Sequence, residues 1–184
     1  DSPGRLPDRK HKKRWTAFDT ALISIGQGDI LVSPLQAAVY TAAIATNGTL
    51  WRPNILKTIV APGGAAVYTE HAQAAGHLAA SPQTLEIIRK GMYLSVNSDI
   101  GGSKRARNGA IDLSGKTGTA EVGPRSTRYK NTWFTGFGTH NGKTYAIAIL
   151  VEHGVSGGKT CAPLAAEFFN RWLGSQKEQA AVSR

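Results

Sequence analysis

Residues 111–122 read IDLSGKTGTAEV, and the fold turns on how this stretch is taken. An extended reading suits it, with the glycines marking places where a bulge forms or another backbone comes close. Side chains on a strand alternate, so Thr117, Thr119 and Glu121 share one side. Two hydroxyls on one side can bind a carboxylate through hydrogen bonds. Lys116 adds a positive potential that favours an anion. Gly118 lets a second chain approach the backbone, and the Thr119 amide is then placed to meet a developing oxyanion. The stretch therefore reads either as a docking strand for a peptide with a terminal carboxylate, or as a plain strand with a bulge.

Working outward, TWFTGFGTH (132–140) and KTYAIAILVEHG (143–154) read as two more strands. Asn141-Gly142 between them is a hairpin turn signal. In the second strand both alternating sets are apolar, Tyr145, Ile147, Ile149 and Val151 against Ala146, Ala148 and Leu150, which predicts an interior strand covered on both faces. The three strands are expected to form a meander. SPLQAAVYTAAIATNG (33–48) predicts a helix with Ser33 as N-cap, Pro34 in the first turn, Gln36 closing a capping box and Asn47-Gly48 as the stop. It is apolar nearly all round, so burial is expected. SPQTLEIIRKGMYLSV (81–96) predicts a second helix. APLAAEFFNRWLG (162–174) predicts a third, with Leu164, Phe168 and Trp172 on its apolar stripe. PNILKTIV (53–60) and AAVYTE (65–70) flank APGG and read as a strand pair. Residues 20–28 end in a glycine-rich turn, and 99–109 and 155–159 read as loops. The result is an α+β sandwich, an antiparallel sheet covered by helices.

Composition excludes several alternatives. With 41% hydrophobic residues among 184, a core can form. The single cysteine, Cys161, cannot form a disulfide within the chain. The longest nearly apolar run, LQAAVYTAAIA (35–45), is too short to cross a bilayer. The opening DSPGRLPDRKHKKRW has no signal-peptide pattern, so any address or anchor is expected outside this chain. The net charge of +10 gathers in RKHKKR (9–14), SKRAR (103–107) and RSTRYK (125–130). Such runs are usually solvated, or they attract an anionic partner such as a phosphate or a lipid headgroup. Aromatic residues do not alternate with the basic ones, so no nucleic acid partner is expected. GKTGT is not a phosphate loop, because five residues rather than four separate Gly109 from Gly115, and no helix opens after Lys116. GQGDIL (26–31) lacks the third glycine of a dinucleotide fingerprint.

Lys-Thr-Gly is also one of three short motifs shared by penicillin-binding proteins and serine β-lactamases, with Ser-x-x-Lys and Ser-x-Asn. Here the likeness runs along the chain: SPGRLPDRKHKKRW, SIGQGDILVSPLQAAVYTAAIATNGTLWRPNI, KGMYLSV, SGKTGTAEV, TWFTGFGTHNGKTYAIAILVEHG and APLAAEFFNRWL, in that order, resemble the C-terminal part of a class B penicillin-binding protein transpeptidase domain. The leading segment and KGMY most resemble the elongation-type branch, penicillin-binding protein 2. The division this implies is an extended basic segment at 1–19, the C-terminal part of the transpeptidase domain at 20–174, and a tail at 175–184 that is expected to fray. The resemblance implies acyl transfer from a D-Ala-D-Ala stem peptide and reaction with β-lactams, with no cofactor and no metal. It makes Lys116 catalytic, as part of a proton-shuttling network, and makes Thr117 and Thr119 the residues that bind the terminal carboxylate; with Gly118 and Glu121, which the strand reading adds beside them, these are the expected substrate-binding residues. It implies a periplasmic location, or the outer face of the cytoplasmic membrane, with an anchor absent from this chain. Implied partners are the N-terminal half of the same domain and membrane proteins of an elongation complex.

The other two motifs are expected before Asp1. SGGK (156–159) fits Ser-x-x-Lys by letter, but it reads as a glycine loop after the third motif. SVN (95–97) fits Ser-x-Asn, but it falls at a helix end. The isolated chain is therefore expected to be inactive, as a piece of a transpeptidase or as a non-catalytic peptide-binding or scaffold module derived from one. Relatives often carry glutamine where Glu121 stands, and a carboxylate there is expected to slow reaction with anionic β-lactams. Standing alone, the strand at 143–154 would expose an edge, so a dimer or domain swap is expected.

Overall fold

The structure is a computed structural model that describes residues 4–7 and 14–182. The basic run at 9–14 lies outside the described residues except for Arg14. In chain order the elements are α1 (Ala17–Ser24), α2 (Pro34–Ala45), β1 (Thr49–Trp51), β2 (Thr58–Val60), β3 (Ala66–Thr69), β4 (Ala74–His77), α3 (Pro82–Asn97), β5 (Asp112–Val122), β6 (Tyr129–His140), β7 (Lys143–Val151) and α4 (Gly157–Val182). A short 3-10 turn, Lys104–Ala106, lies between α3 and β5.

The expected meander forms. β5, β6 and β7 pair antiparallel in that order, with Thr117 opposite Phe134 and Phe134 opposite Ile149. Asn141 (φ 50°) and Gly142 (φ 72°) both take left-handed backbone, as a two-residue hairpin matched to strand twist requires. On β6, Phe134 is fully buried in a core shared with Leu113 of β5 and Cys161, Ala162, Ala165, Phe169 and Leu173 of α4. The next residue, Thr135, points to the other face and hydrogen-bonds Tyr40 of α2. The sheet thus carries α4 on one face and α2 on the other. Two strand glycines have a packing reason. A Cβ on Gly115 would come within 2.3 Å of the Phe134 ring, and one on Gly136 within 2.7 Å of the Ser114 carbonyl. The ring lies over bare backbone, and burying it fully stabilises by roughly 1.5–3 kcal/mol.

The helix ends obey local rules. Ser33 and Gln36 form the capping box of α2, and Gly48 N–H closes its far end on the Ala43 carbonyl, with Asn47 at φ 57°. Ser81 caps α3. The strand pair β2–β3 appears around the predicted turn, though shorter than expected. A second small pair, β1–β4, was not foreseen.

Several expectations need correction. Ala17–Ser24 is a helix opened by a Thr16–Asp19 capping box, so the extended segment stops before residue 19. The stretch expected to fray continues α4 as far as Val182. α4 begins at Gly157, five residues early, with Pro163 inside it, so only the beginning of 155–159 is loop. Its buried stripe is Cys161, Ala165, Phe169 and Leu173, whereas Leu164 and Phe168 are 41% and 49% exposed. Small residues at 161, 162 and 165 let the helix approach the sheet closely, and of the expected stripe only Trp172 packs against the core, edge-on to Tyr145 of β7. α2 is not buried all round, since Ala37, Thr41 and Ala43 face inward while Leu35 is exposed and Tyr40 keeps part of its ring in solvent, its hydroxyl being turned to the sheet. β7 is covered on both faces as expected, but it lies at the sheet edge rather than inside it.

Candidate functional site

The backbone of β5 decides which groups face a ligand. In an antiparallel strand the N–H and C=O of one residue point to the same edge, and neighbours alternate. Thr117 N–H donates to Ser103 Oγ, and the carbonyls of Leu113, Thr117 and Thr119 accept from Asn97 Nδ2, Lys116 Nζ and Gln27 Nε2. None of these partners belongs to β6. The backbone N–H and C=O of odd-numbered residues therefore point to the edge away from β6, the Thr119 N–H among them. α3 and the 3-10 turn cover this edge at 113–117. From Lys116 on, the strand opens to solvent, with Lys116, Thr119 and Glu121 exposed and Thr117 half-buried.

The two hydroxyls are held from inside. Gly157 N–H, at the start of α4, donates to Thr119 Oγ1 at 3.2 Å. Ser103, fully buried, accepts from Thr117 N–H at 3.1 Å and from Ser95 Oγ at 2.9 Å, and its own hydroxyl lies 3.4 Å from Thr117 Oγ1 as donor. Each threonine oxygen thus accepts from the protein, which leaves each hydroxyl proton for an outside acceptor. A carboxylate accepts and cannot donate, so it is the complementary ligand. The positive end of α4 behind Thr119 favours the same charge.

Lys116 lies folded along the strand, its Nζ donating to the Thr117 carbonyl at 2.7 Å. A Cβ on Gly118 would meet only the Trp133 Cβ, at 3.4 Å, so the space beside that backbone is open. Glu121 is not a bare charge. Arg128, from the β5–β6 connection, pairs with it at 2.7 Å. Two cavities of about 230 and 260 Å³ lie elsewhere, one between Gly109, His140 and Asn170 and the other beside α1. Among the described residues no cluster of three metal-ligating side chains occurs, and no helix is long and apolar enough to cross a membrane.

The structure brings Lys116, Thr117, Gly118, Thr119 and Glu121 together on one strand, as their spacing predicts. It adds residues that sequence reasoning missed. Gln27 was visible only as part of a glycine-rich turn and of a segment resembling the family, with no role assigned, and Ser103 sat unremarked in a basic loop. Gly157 was hidden by the late helix start. The two chance motifs have other work. Ser156 caps α4 by accepting the Lys159 N–H at 3.3 Å, so its neighbourhood is a helix start rather than the expected glycine loop. Ser95 and Asn97, at the end of α3, support β5 through Ser103 and the Leu113 carbonyl.

Comparison with known proteins identifies the family. The family described as penicillin binding protein transpeptidase domain matches residues 2–170. The peptidoglycan D,D-transpeptidase MrdA of Haemophilus influenzae is 26% identical over 93% of this chain and 28% of its own length, and the MrdA of Acinetobacter baumannii is 30% identical over 97% and 28%. The chain thus spans less than a third of the length of these relatives. Among solved structures, penicillin-binding protein PBP2 of Helicobacter pylori, determined in complex with MreC, superposes with a TM-score of 0.71 at 32% identity over 91% of this chain and 30% of that one. PBP2 of Pseudomonas aeruginosa, in complex with the compound WCK 5153, gives 0.71 at 29% over 92% and 36%. A helix-covered antiparallel sheet, a Lys-Thr-Gly strand at its edge and a family match along nearly the whole sequence lead to one conclusion: the chain belongs to the penicillin-binding protein transpeptidase domain family, with PBP2-type transpeptidases among its relatives.

Proposed function

We propose that this chain is the substrate-docking part of a peptidoglycan D,D-transpeptidase, and that the nucleophile comes from a part of the protein outside these 184 residues. The observation that carries the reading is the pair of threonine hydroxyls whose oxygens accept from Gly157 N–H and Ser103 Oγ, leaving two protons for a ligand carboxylate. A stem peptide ending in D-Ala-D-Ala would lie along the open edge of β5. Its terminal carboxylate would meet Thr117 and Thr119, and its scissile carbonyl oxygen the Thr119 N–H. The serine oxygen would bond to the carbonyl carbon and the C–N bond would break. The terminal D-Ala would leave as the amine, carrying a proton delivered through the network that includes Lys116. The amine of a neighbouring stem peptide would then attack the ester, lose its proton and release the serine. β-Lactams, which carry a carboxylate beside a reactive amide, would react at the same place.

The reading also supplies the partners. The N-terminal half of the domain would cover apolar side chains that are open here, among them Trp15, Phe18, Ile25, Leu31 and Leu35. An anchor outside this chain would hold the enzyme at the outer face of the cytoplasmic membrane. A membrane protein of an elongation complex would bind elsewhere on the full-length enzyme; the H. pylori relative was determined in complex with MreC.

Fluorescent penicillin tests the proposal. The full-length protein is expected to label covalently and this chain alone is not. Labelling of the chain alone would place a nucleophile within it. A full-length protein that binds peptide but never labels would make it a scaffold module derived from such an enzyme.

A further inference from the structure

The Thr119 carbonyl points to the open edge of β5, on the residue that also carries one of the two hydroxyls. A peptide added along this edge must hydrogen-bond to the strand's outward carbonyls, and this one is next to the reacting carbonyl. It already accepts one hydrogen bond, on the side a docked N–H would approach. Gln27 Nε2 donates to it at 2.9 Å, across 92 residues of sequence.

That contact comes from a rigid mount. α1 ends in a Schellman motif: Gly26, at φ 73°, donates its N–H to the Ile23 carbonyl, and the Gln27 N–H donates to the Leu22 carbonyl. A Cβ on Gly26 would meet nothing within 4 Å, so the glycine is there for its backbone angle and not for space. The cap fixes the Gln27 backbone, and only its side chain needs to rotate to release Thr119. Gln27 is half-buried, on the exposed side of the strand edge.

We propose that Gln27 is a specificity-determining residue that stands in for the ligand amide: it holds the Thr119 carbonyl until a docked N–H displaces it, and so handicaps ligands that need this acceptor relative to those that do not. The inference rests on the transpeptidase reading above. A penicillin carries an acylamino N–H that competes with Gln27. A carbapenem carries a hydroxyalkyl group in that place and does not.

The test uses the full-length protein with Gln27→Met, which keeps length and volume but cannot donate, and Gln27→Ala as a second variant. Second-order acylation rate constants are measured for a fluorescent penicillin directly and for a carbapenem by competition. Loss of one net hydrogen bond from the competing state should raise the penicillin rate about five-fold in both variants and leave the carbapenem rate unchanged. The ratio of the two rates does not depend on the fraction of protein folded. A penicillin rate that is unchanged or lower, or an equal change for both ligands, would overturn the inference. A wild type that neither ligand acylates would instead overturn the transpeptidase reading, and this inference with it.

Discussion

Gly157 N–H donates to Thr119 Oγ1 at 3.2 Å, tying the first residue of α4 to the strand that would hold the substrate. The approach is tight. A Cβ on Gly157 would stand 2.5 Å from the Trp133 carbonyl oxygen, 2.6 Å from that of Gly118 and 2.9 Å from Thr117 Cβ. Two of these three atoms are backbone and cannot rotate aside. Gly157→Ala should therefore lift the start of α4 from β5 and β6, costing about 1–3 kcal/mol. Thermal unfolding should show a fall of roughly 2–12 °C for a chain of this size. An unchanged midpoint would mean that the helix start is free to move.

Removing either hydroxyl tests the carboxylate site directly. Thr117→Val and Thr119→Val keep the branched shape and delete one donor to an anion, a bond worth about 1.5–3 kcal/mol. Each should slow acylation of the full-length protein by penicillin roughly 10- to 150-fold. Thr119→Val should also lower the thermal midpoint, because Gly157 N–H loses its acceptor. Equal acylation in wild type and both variants would remove the carboxylate from this strand.

The outline of this site was legible because a strand has a period of two. Once 111–122 is extended, the positions of Thr117, Thr119 and Glu121 follow from counting, and Asn141-Gly142 fixes the register of the next two strands. Its supports were not legible, since Gln27, Ser103 and Gly157 meet β5 only through tertiary packing and no local rule links them. The start of α4 was misplaced for a related reason. Pro163 fits a first helical turn by local preference, and Gly157-Gly158 looks like a loop, yet contact with β5 and β6 makes bare backbone necessary there. The apolar stripe of α4 held only at Trp172, because Leu164 and Phe168 outrank Cys161 and Ala165 by size, while close approach to the sheet selected the small residues there.

Glu121 should matter less than an isolated carboxylate would. Arg128 offsets its charge at 2.7 Å, and both side chains are about half exposed. Exposed pairs are worth roughly 0–1 kcal/mol. Glu121→Gln should raise acylation by an anionic β-lactam by no more than about five-fold, and the gain should shrink in high salt. Arg128→Ala, which leaves Glu121 bare, should lower it. A Glu121→Gln rate equal to wild type would show that this charge does not reach the ligand.

Tyr40 links α2 to the sheet through Thr135, and burial pushes its phenol pKa up while the hydrogen bond to Thr135 pulls it back. A phenol with a raised folded pKa favours the neutral form in the folded state. Its contribution to stability is complete below the unfolded value of about 10 and is lost as pH rises through the higher folded value. Urea midpoints should therefore fall as pH rises above about 10, and Tyr40→Phe should fall less steeply. Parallel pH profiles for the two proteins would show that Tyr40 does not carry the effect.

Among the described residues β7 has no strand partner on the side away from β6, along nine residues whose side chains are mostly apolar. α4 and α2 pack on the two faces of the strand and hold it in place, which leaves its edge ready to pair with another strand. Its turn-proximal end carries Lys143 and Thr144, and beyond them no charged side chain interrupts the strand before Val151. The exposed residues Leu164 and Phe168 of α4 add apolar surface on the neighbouring layer. The isolated chain should therefore form dimers, by pairing β7 with a second copy or by exchanging an element. Light scattering across a range of concentrations should give a mass near twice 19.5 kDa at the upper end. A monomer at every concentration would mean that the edge is blocked by something other than strand pairing.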